Sequence, residues 1–207
     1  VTGAGVAIVL AADDPACRDA AAALFPGRPC EALTREDLRP PAPFRGHLFD
    51  LLAAQPRGVV VGLVVPVVAA VKMPEPPPFP CGSTVASASC LDAGDLAPVT
   101  DHVNLEARGP LTGRWPAGEP RDFPSMTRIY QPRFVRPAQG ARVYSSGVVA
   151  AGVADIRRLT RFEARAVREG GWPIVSDSLV PVAIVAAYYG MRLAACGLVQ
   201  APTDDRE

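Results

Sequence analysis

Apolar residues along this chain gather into short continuous runs separated by polar, proline-bearing or glycine-bearing stretches, a rhythm that predicts strands alternating with helices. Residues 5–10 form a compact apolar run suited to a central strand. Asp14-Pro15 then supplies a helix start, and Pro26-Gly27 stops that helix after Phe25. Residues 31–46 are polar and carry prolines, 47–54 predict a short helix, and 59–61 a strand. The apolar run 58–71 contains Gly62 and Pro66 and is too short to span a membrane, so it reads as one or two buried strand segments. Residues 84–89 and 96–100 are short strand candidates, the second introduced by the Gly94-Asp95 turn. Residues 106–124 are rich in glycine and proline with few periodic apolar positions, the composition of a long functional loop. Alternation then resumes: a strand at 143–153, a helix at 159–169 ended by Gly170-Gly171, a strand at 173–175, a helix at 181–189 stopped by Gly190, and a strand at 192–199. Repeated β-α-β order predicts an α/β sandwich with a largely central sheet.

Length and composition narrow the picture. A chain of 207 residues suits one hydrophobic core, so a single domain over 1–207 is expected. Its 21 Lys and Arg balance 21 Asp and Glu, which argues against nucleic acid or a membrane surface as partner. The 23 prolines are about twice ordinary usage; five of them fall within 74–80, which predicts a stiff connector inside the domain. The run from Val6 to Ala12 has no basic leader and is interrupted by Asp13-Asp14, so it predicts a strand rather than a signal peptide, and a cytoplasmic protein. Cys17, Cys30, Cys81, Cys90 and Cys196 lack the close pairing of a zinc site or a disulfide framework, so reduced thiols are expected. With His47 and His102 the only histidines, no metal site is predicted.

Candidate chemistry comes from the middle and end of the chain. At Gly94-Asp95-Leu96 followed by Asp101-His102-Val103-Asn104-Leu105, the sequence resembles the purine nucleoside phosphorylase family, particularly its trimeric branch. The likeness continues through Pro110-Leu111-Thr112-Gly113 and Asp122-Phe123-Pro124-Ser125-Met126 with Tyr130. It returns at Val175-Ser176-Asp177-Ser178-Leu179-Val180-Pro181, Ile184-Val185-Ala186 and Gly190-Met191-Arg192. The resemblance implies a single-domain nucleoside phosphorylase-like fold, a central mixed sheet flanked by helices. It also implies cleavage of a purine nucleoside's N-glycosidic bond by phosphate, a pentosyltransferase reaction that uses phosphate as co-substrate and no other cofactor.

Carried over residue by residue, the resemblance makes Ser178 the phosphate-contacting serine; read alone, it is equally an N-cap. Asp177 stands where the family carries a methionine against the sugar, and a carboxylate there grips ribose hydroxyls while repelling phosphate. Phe123 matches the aromatic side chain that family trimers lend to a neighbour's sugar pocket; read alone, it anchors a loop. Phe162 and Glu163 match the ring and carboxylate that hold the base, although the interval to Gly171 is about one helical turn short; read alone, Glu163 is a solvent-facing partner of Arg161 or Arg168. Gln200 stands near the family's base-binding asparagine, with Asp204 within reach of the same edge. His102 and Asn104 support the loop and pocket, Tyr144 reaches toward substrate, and Arg128, Tyr130 and Arg133 cluster at a pocket or subunit boundary. His47, after Gly46, matches a glycine-histidine landmark.

Departures concentrate at the phosphate end. Ala11-Ala12-Asp13-Asp14 replaces the family's glycine-rich serine loop, which disfavours a dianion. The arginine-and-histidine loop that clasps phosphate is contracted away between His47 and Pro66, and the sequence ends at Glu207, before the family's last pocket-lining loop. Two expectations follow. One is a divergent enzyme that cleaves a purine nucleoside or related metabolite by phosphorolysis or hydrolysis. The other is a non-catalytic homologue, a binding or structural subunit of a homotrimer or of a hetero-oligomer with a family member that completes the site.

Overall fold

The computed structural model describes residues 6–38, 45–70, 91–106, 109–113, 115, 124–135, 142–144 and 147–200. Seven strands, β1 (Val6–Ala12), β2 (Cys30–Leu33), β3 (Val60–Ala69), β4 (Leu96–Asn104), β5 (Val148–Gly152), β6 (Ile174–Ser176) and β7 (Arg192–Gln200), form one mixed sheet. Five α-helices accompany them among the described residues: α1 (Pro15–Leu24), α2 (Arg35–Leu38), α3 (His47–Ala53), α4 (Arg161–Glu169) and α5 (Leu179–Tyr188). This is the α/β architecture that the apolar rhythm predicts, with helices flanking a mixed sheet. No helix among the described residues is long and apolar enough to cross a membrane.

Strand pairing closes part of the sheet on itself. β3 pairs with β6, β6 with β5, β5 with β4, β4 with β7, and β7 with β3 again, while β1 and β2 extend the sheet beyond this ring. The ring exists because β3 is long enough to hold two neighbours on one edge. β1 runs parallel along its first half as far as Ala11 opposite Val64, and β6 runs antiparallel along its end, with Val175 opposite Val68. The C-terminal ends of β1 and β6 therefore approach each other head-on beside Pro66. Proline is tolerated there because it falls in the gap between the two ladders, where a missing N–H costs nothing on that edge.

Most of β1, β3 and β7 is buried, in keeping with their unbroken Val, Leu and Ala composition. α5 is apolar on nearly every face because it lies inside the molecule, contacting β7, α2 and α3. A smaller cluster, Ala151, Val153, Ala164, Val167 and Val175, seats α4 on β5 and β6.

The structure revises several expectations. Within the 58–71 run, expected to be one or two segments, β3 is a single strand that passes through Pro66. β4 continues past Thr100 to Asn104, so the strand takes in the Asp101-His102-Val103-Asn104 motif. Only Val148–Gly152 of the 143–153 run is a strand, because Gly147 turns the chain with φ of 70° while Val143 makes a separate bridge to Leu96. The polar 31–46 stretch contains β2 and α2. The proline connector at 74–80 and the strand candidate at 84–89 lie outside the described residues.

Candidate active site

Where β1 and β6 converge, two helices begin. The β6 side is built by Ser176, Asp177 and Ser178, all buried. The Ser176 hydroxyl oxygen accepts from the backbone N–H of Ser178 at 3.2 Å and of Leu179 at 3.1 Å, so Ser176 caps α5 from two residues upstream. Ser178 occupies the N-cap position yet makes no capping bond with its side chain. Instead its hydroxyl donates to Asp177 Oδ1 at 2.9 Å. Replacing Ser176 with alanine strands two buried N–H groups, and a loss of about 1–2 kcal/mol in urea unfolding is expected.

The second oxygen of Asp177 meets a cation from across the chain. Thr34 and Asp37 fix the single turn α2 through reciprocal hydrogen bonds, the Asp37 carboxylate accepting from the Thr34 N–H at 3.0 Å and the Thr34 hydroxyl accepting from the Asp37 N–H at 3.1 Å. Arg35, the first residue of that turn, donates through Nη2 to Asp177 Oδ2 at 2.6 Å and to Asp155 Oδ1 at 2.9 Å. The Asp177 side chain is 4% exposed, that of Asp155 21% and that of Arg35 38%, so the guanidinium closes the cluster from the solvent side. Partial burial opposes the Arg35 charge, but hydrogen bonding and attraction from the two carboxylates outweigh it and hold the guanidinium above its ordinary pKa.

The β1 side is also occupied by the chain's own groups. Asp14 Oδ1 accepts from the N–H groups of Ala16 and Cys17, capping α1, while Asp14 Oδ2 accepts from the Gln200 amide at 3.3 Å. Asp13 pairs with Arg18 at 2.7 Å, and Arg157 lies 3.7 Å from Asp155. Arg18, Arg35 and Arg157 each face a carboxylate.

The motif on β4 builds a separate feature. His102 Nδ1 hydrogen-bonds with the Tyr130 hydroxyl at 2.8 Å, the two rings meeting edge to face. Burial, with the nearby Asp101 charge, raises the Tyr130 pKa and keeps the phenol protonated. Beside this pair, Thr100, Asp101, Met126, Thr127, Arg128 and Ile129 line an open groove of about 370 Å³. Burial, outweighing the attraction of Asp101, lowers the His102 pKa below 6.5. Protonation is easier in the unfolded chain, so the His102 contribution to stability is lost as pH falls from 6.5 toward the folded value. An NMR titration of His102 is expected to give a midpoint below 6.5, and Tyr130→Phe to change it. Asn104 Oδ1 accepts from the Glu106 N–H in a turn that ends β4, and Tyr144 packs half-buried on the main core.

No family model matches this chain, and no curated protein matches it. Among solved structures, the fold is similar to a Schistosoma purine nucleoside phosphorylase in complex with guanosine, with a TM-score of 0.51 and 17% identity over 77% of this chain and 57% of that one. It is similar also to the Schistosoma mansoni purine nucleoside phosphorylase in complex with acetate, with a TM-score of 0.50 and 16% identity over 72% of this chain and 52% of that one. The fold is nucleoside phosphorylase-like. The chain spans a little over half the length of these proteins.

Within this nucleoside phosphorylase-like fold the sequence candidates divide. Asp177 and Ser178 stand together at the convergence of β1 and β6, and Gln200 reaches the β1 side of it. Glu163 lies on the first turn of α4, where its carboxylate accepts from the Thr160 N–H and hydroxyl, each at 2.8 Å, in a capping box. Those bonds lower its pKa and replace the expected pairing with Arg161 or Arg168. Phe162 beside it is 78% exposed. Phe123 and Asp204 lie outside the described residues, as do Cys81 and Cys90. Cys17 and Cys196 are buried free thiols, each pushed up to about 12 chiefly by burial, while Cys30 is exposed. Two members of this cluster are not singled out by the sequence: Ser176 lies inside the 175–181 match without a role of its own there, and Arg35 belongs to no motif, its nearest signal being the Thr34-x-x-Asp37 spacing that positions it.

Proposed function

We propose that this protein binds a purine nucleoside or a related metabolite where β1 and β6 converge and cleaves its N-glycosidic bond with water as the acceptor. One observation carries the reading: Ser178 and Arg35, two oxyanion donors at this place, both donate to Asp177. A site so arranged favours a neutral, hydroxyl-rich ligand over a dianion. With Arg35 drawn aside onto Asp155, the buried Asp177 oxygens accept from sugar hydroxyls, and their charge favours the oxocarbenium-like sugar that forms as the bond to the base loosens. Water adds to the anomeric carbon, the bond to the base nitrogen breaks, and the water's proton ends on the departing base. Phosphorolysis would require the donors to release Asp177 first.

A second reading is favoured by the side chains assigned to the base. Glu163 is engaged by Thr160 and Gln200 by Asp14, the arrangement of a non-catalytic homologue that serves as a binding or structural subunit. In either reading a homotrimer, or a hetero-oligomer with a family homologue, would supply the aromatic face that Phe123 represents. Calorimetric titration with a purine nucleoside panel tests the shared claim. Saturable binding that weakens about tenfold or more in Asp177→Asn is expected; equal affinity in the variant removes Asp177 from the site.

A further inference from the structure

The Arg35, Ser178 and Asp177 contacts carry a consequence for specificity that goes deeper than the choice of acceptor. A guanidinium and a serine hydroxyl, one on each oxygen of a single carboxylate at 2.6 and 2.9 Å, are the donors that commonly hold a phosphate or sulfate. Here they hold a side chain of the same protein at the start of a ten-residue helix, whose positive end favours negative charge. Asp155 anchors the guanidinium independently at 2.9 Å, so Arg35 keeps a partner without Asp177. Arg35 is also partly open to solvent while Asp177 is not, which leaves the donor reachable from outside.

We infer that Asp177 is a built-in anion and the specificity-determining residue of this site: its carboxylate occupies Arg35 and Ser178, shuts out inorganic oxyanions, and on removal leaves those donors as an oxyanion-binding site. Two oxygens of a tetrahedral oxyanion take the place of the two carboxylate oxygens, one accepting from Arg35 Nη2 and the other from the Ser178 hydroxyl. The inference rests on the proposed reading only for the location of the site.

The test is phosphate titration of the full chain by calorimetry and by thermal unfolding, with sodium chloride at matched ionic strength as the control. Wild type is expected to show no saturable phosphate binding. Asp177→Ala is expected to bind phosphate at least about tenfold more tightly than wild type and to unfold at a higher temperature in phosphate than in chloride. Arg35→Met added to Asp177→Ala should abolish the gain. A folded Asp177→Ala that binds phosphate no better than wild type overturns the inference, as does a wild type that already binds it equally well. Should the alanine variant fail to fold, Asp177→Ser, whose short side chain likewise vacates the two donors, carries the same comparison, and equal melting temperatures in phosphate and chloride overturn the inference there. Nucleoside affinity, measured on wild type alone, decides the proposed reading separately.

Discussion

Arg35→Met is expected to lower stability by about 3 kcal/mol, the low end of the range for breaking a buried ion pair by removing one partner. The low end applies because the guanidinium is partly exposed whereas Asp177 is not. Methionine keeps most of the aliphatic packing, so the loss comes from leaving the Asp177 and Asp155 carboxylates without their shared cation. Urea unfolding measures it as a lower midpoint with an unchanged slope. A cycle with Asp177→Asn separates the pair from other contacts: the double variant should be less destabilised than the two single losses added together. Strict additivity would show that Arg35 and Asp177 do not depend on each other.

An effect of about the same size, about 3 kcal/mol, is expected for Gly152→Val, at the upper end of typical overpacking costs. Gly152 ends β5 where the start of α5 presses on the sheet, and even a Cβ at this position would overlap the Val180 side chain. Val180 is buried and fixed in the first turn of the helix that follows Ser178, so the overlap is relieved chiefly by displacing that turn. The same displacement shifts Asp177 and Ser178, and nucleoside affinity should fall along with stability. Val180→Ala in the same chain makes room and is expected to restore part of both. If Gly152→Val melts like wild type, the close seating of α5 on β5 is not what positions the site.

The elements legible in the sequence are those that bury continuous apolar runs. β1, β7 and the body of β3 announce themselves because nearly every side chain in them is apolar and bounded by Pro, Gly or Asp, whereas α1, which buries only Cys17, Ala21 and Leu24, is legible from its Asp14-Pro15 start and Pro26-Gly27 stop. β2 does not, since three of its four residues are exposed, nor does α2, a single turn with no period to detect. Arg35 lies on that turn, and its partners stand 120 and 142 residues away, a pairing that only long-range register creates. Asp177 and Ser178 are found through the family resemblance of the 175–181 stretch. Which serine caps α5 is not, because Ser176 and Ser178 sit two apart and either hydroxyl suits a helix start. Thr160-x-x-Glu163 is the opposite case: its spacing is a readable capping box, and the structure uses Glu163 in that way.

The convergence of β1 and β6 beside Pro66 is likewise invisible in the local pattern. It depends on β3 being long enough to carry a parallel neighbour and an antiparallel one on a single edge. That arrangement places the starts of two helices face to face and lets the chain's own carboxylates, Asp14 and Asp177, engage the groups that surround them.

Product analysis of a purine nucleoside panel, incubated with the purified chain in the presence and absence of phosphate, tests the central claim most directly. The account predicts free base and free pentose at the same rate with and without phosphate, and loss of both products in Asp177→Asn. Formation of pentose 1-phosphate, with release of base only when phosphate is present, would contradict it.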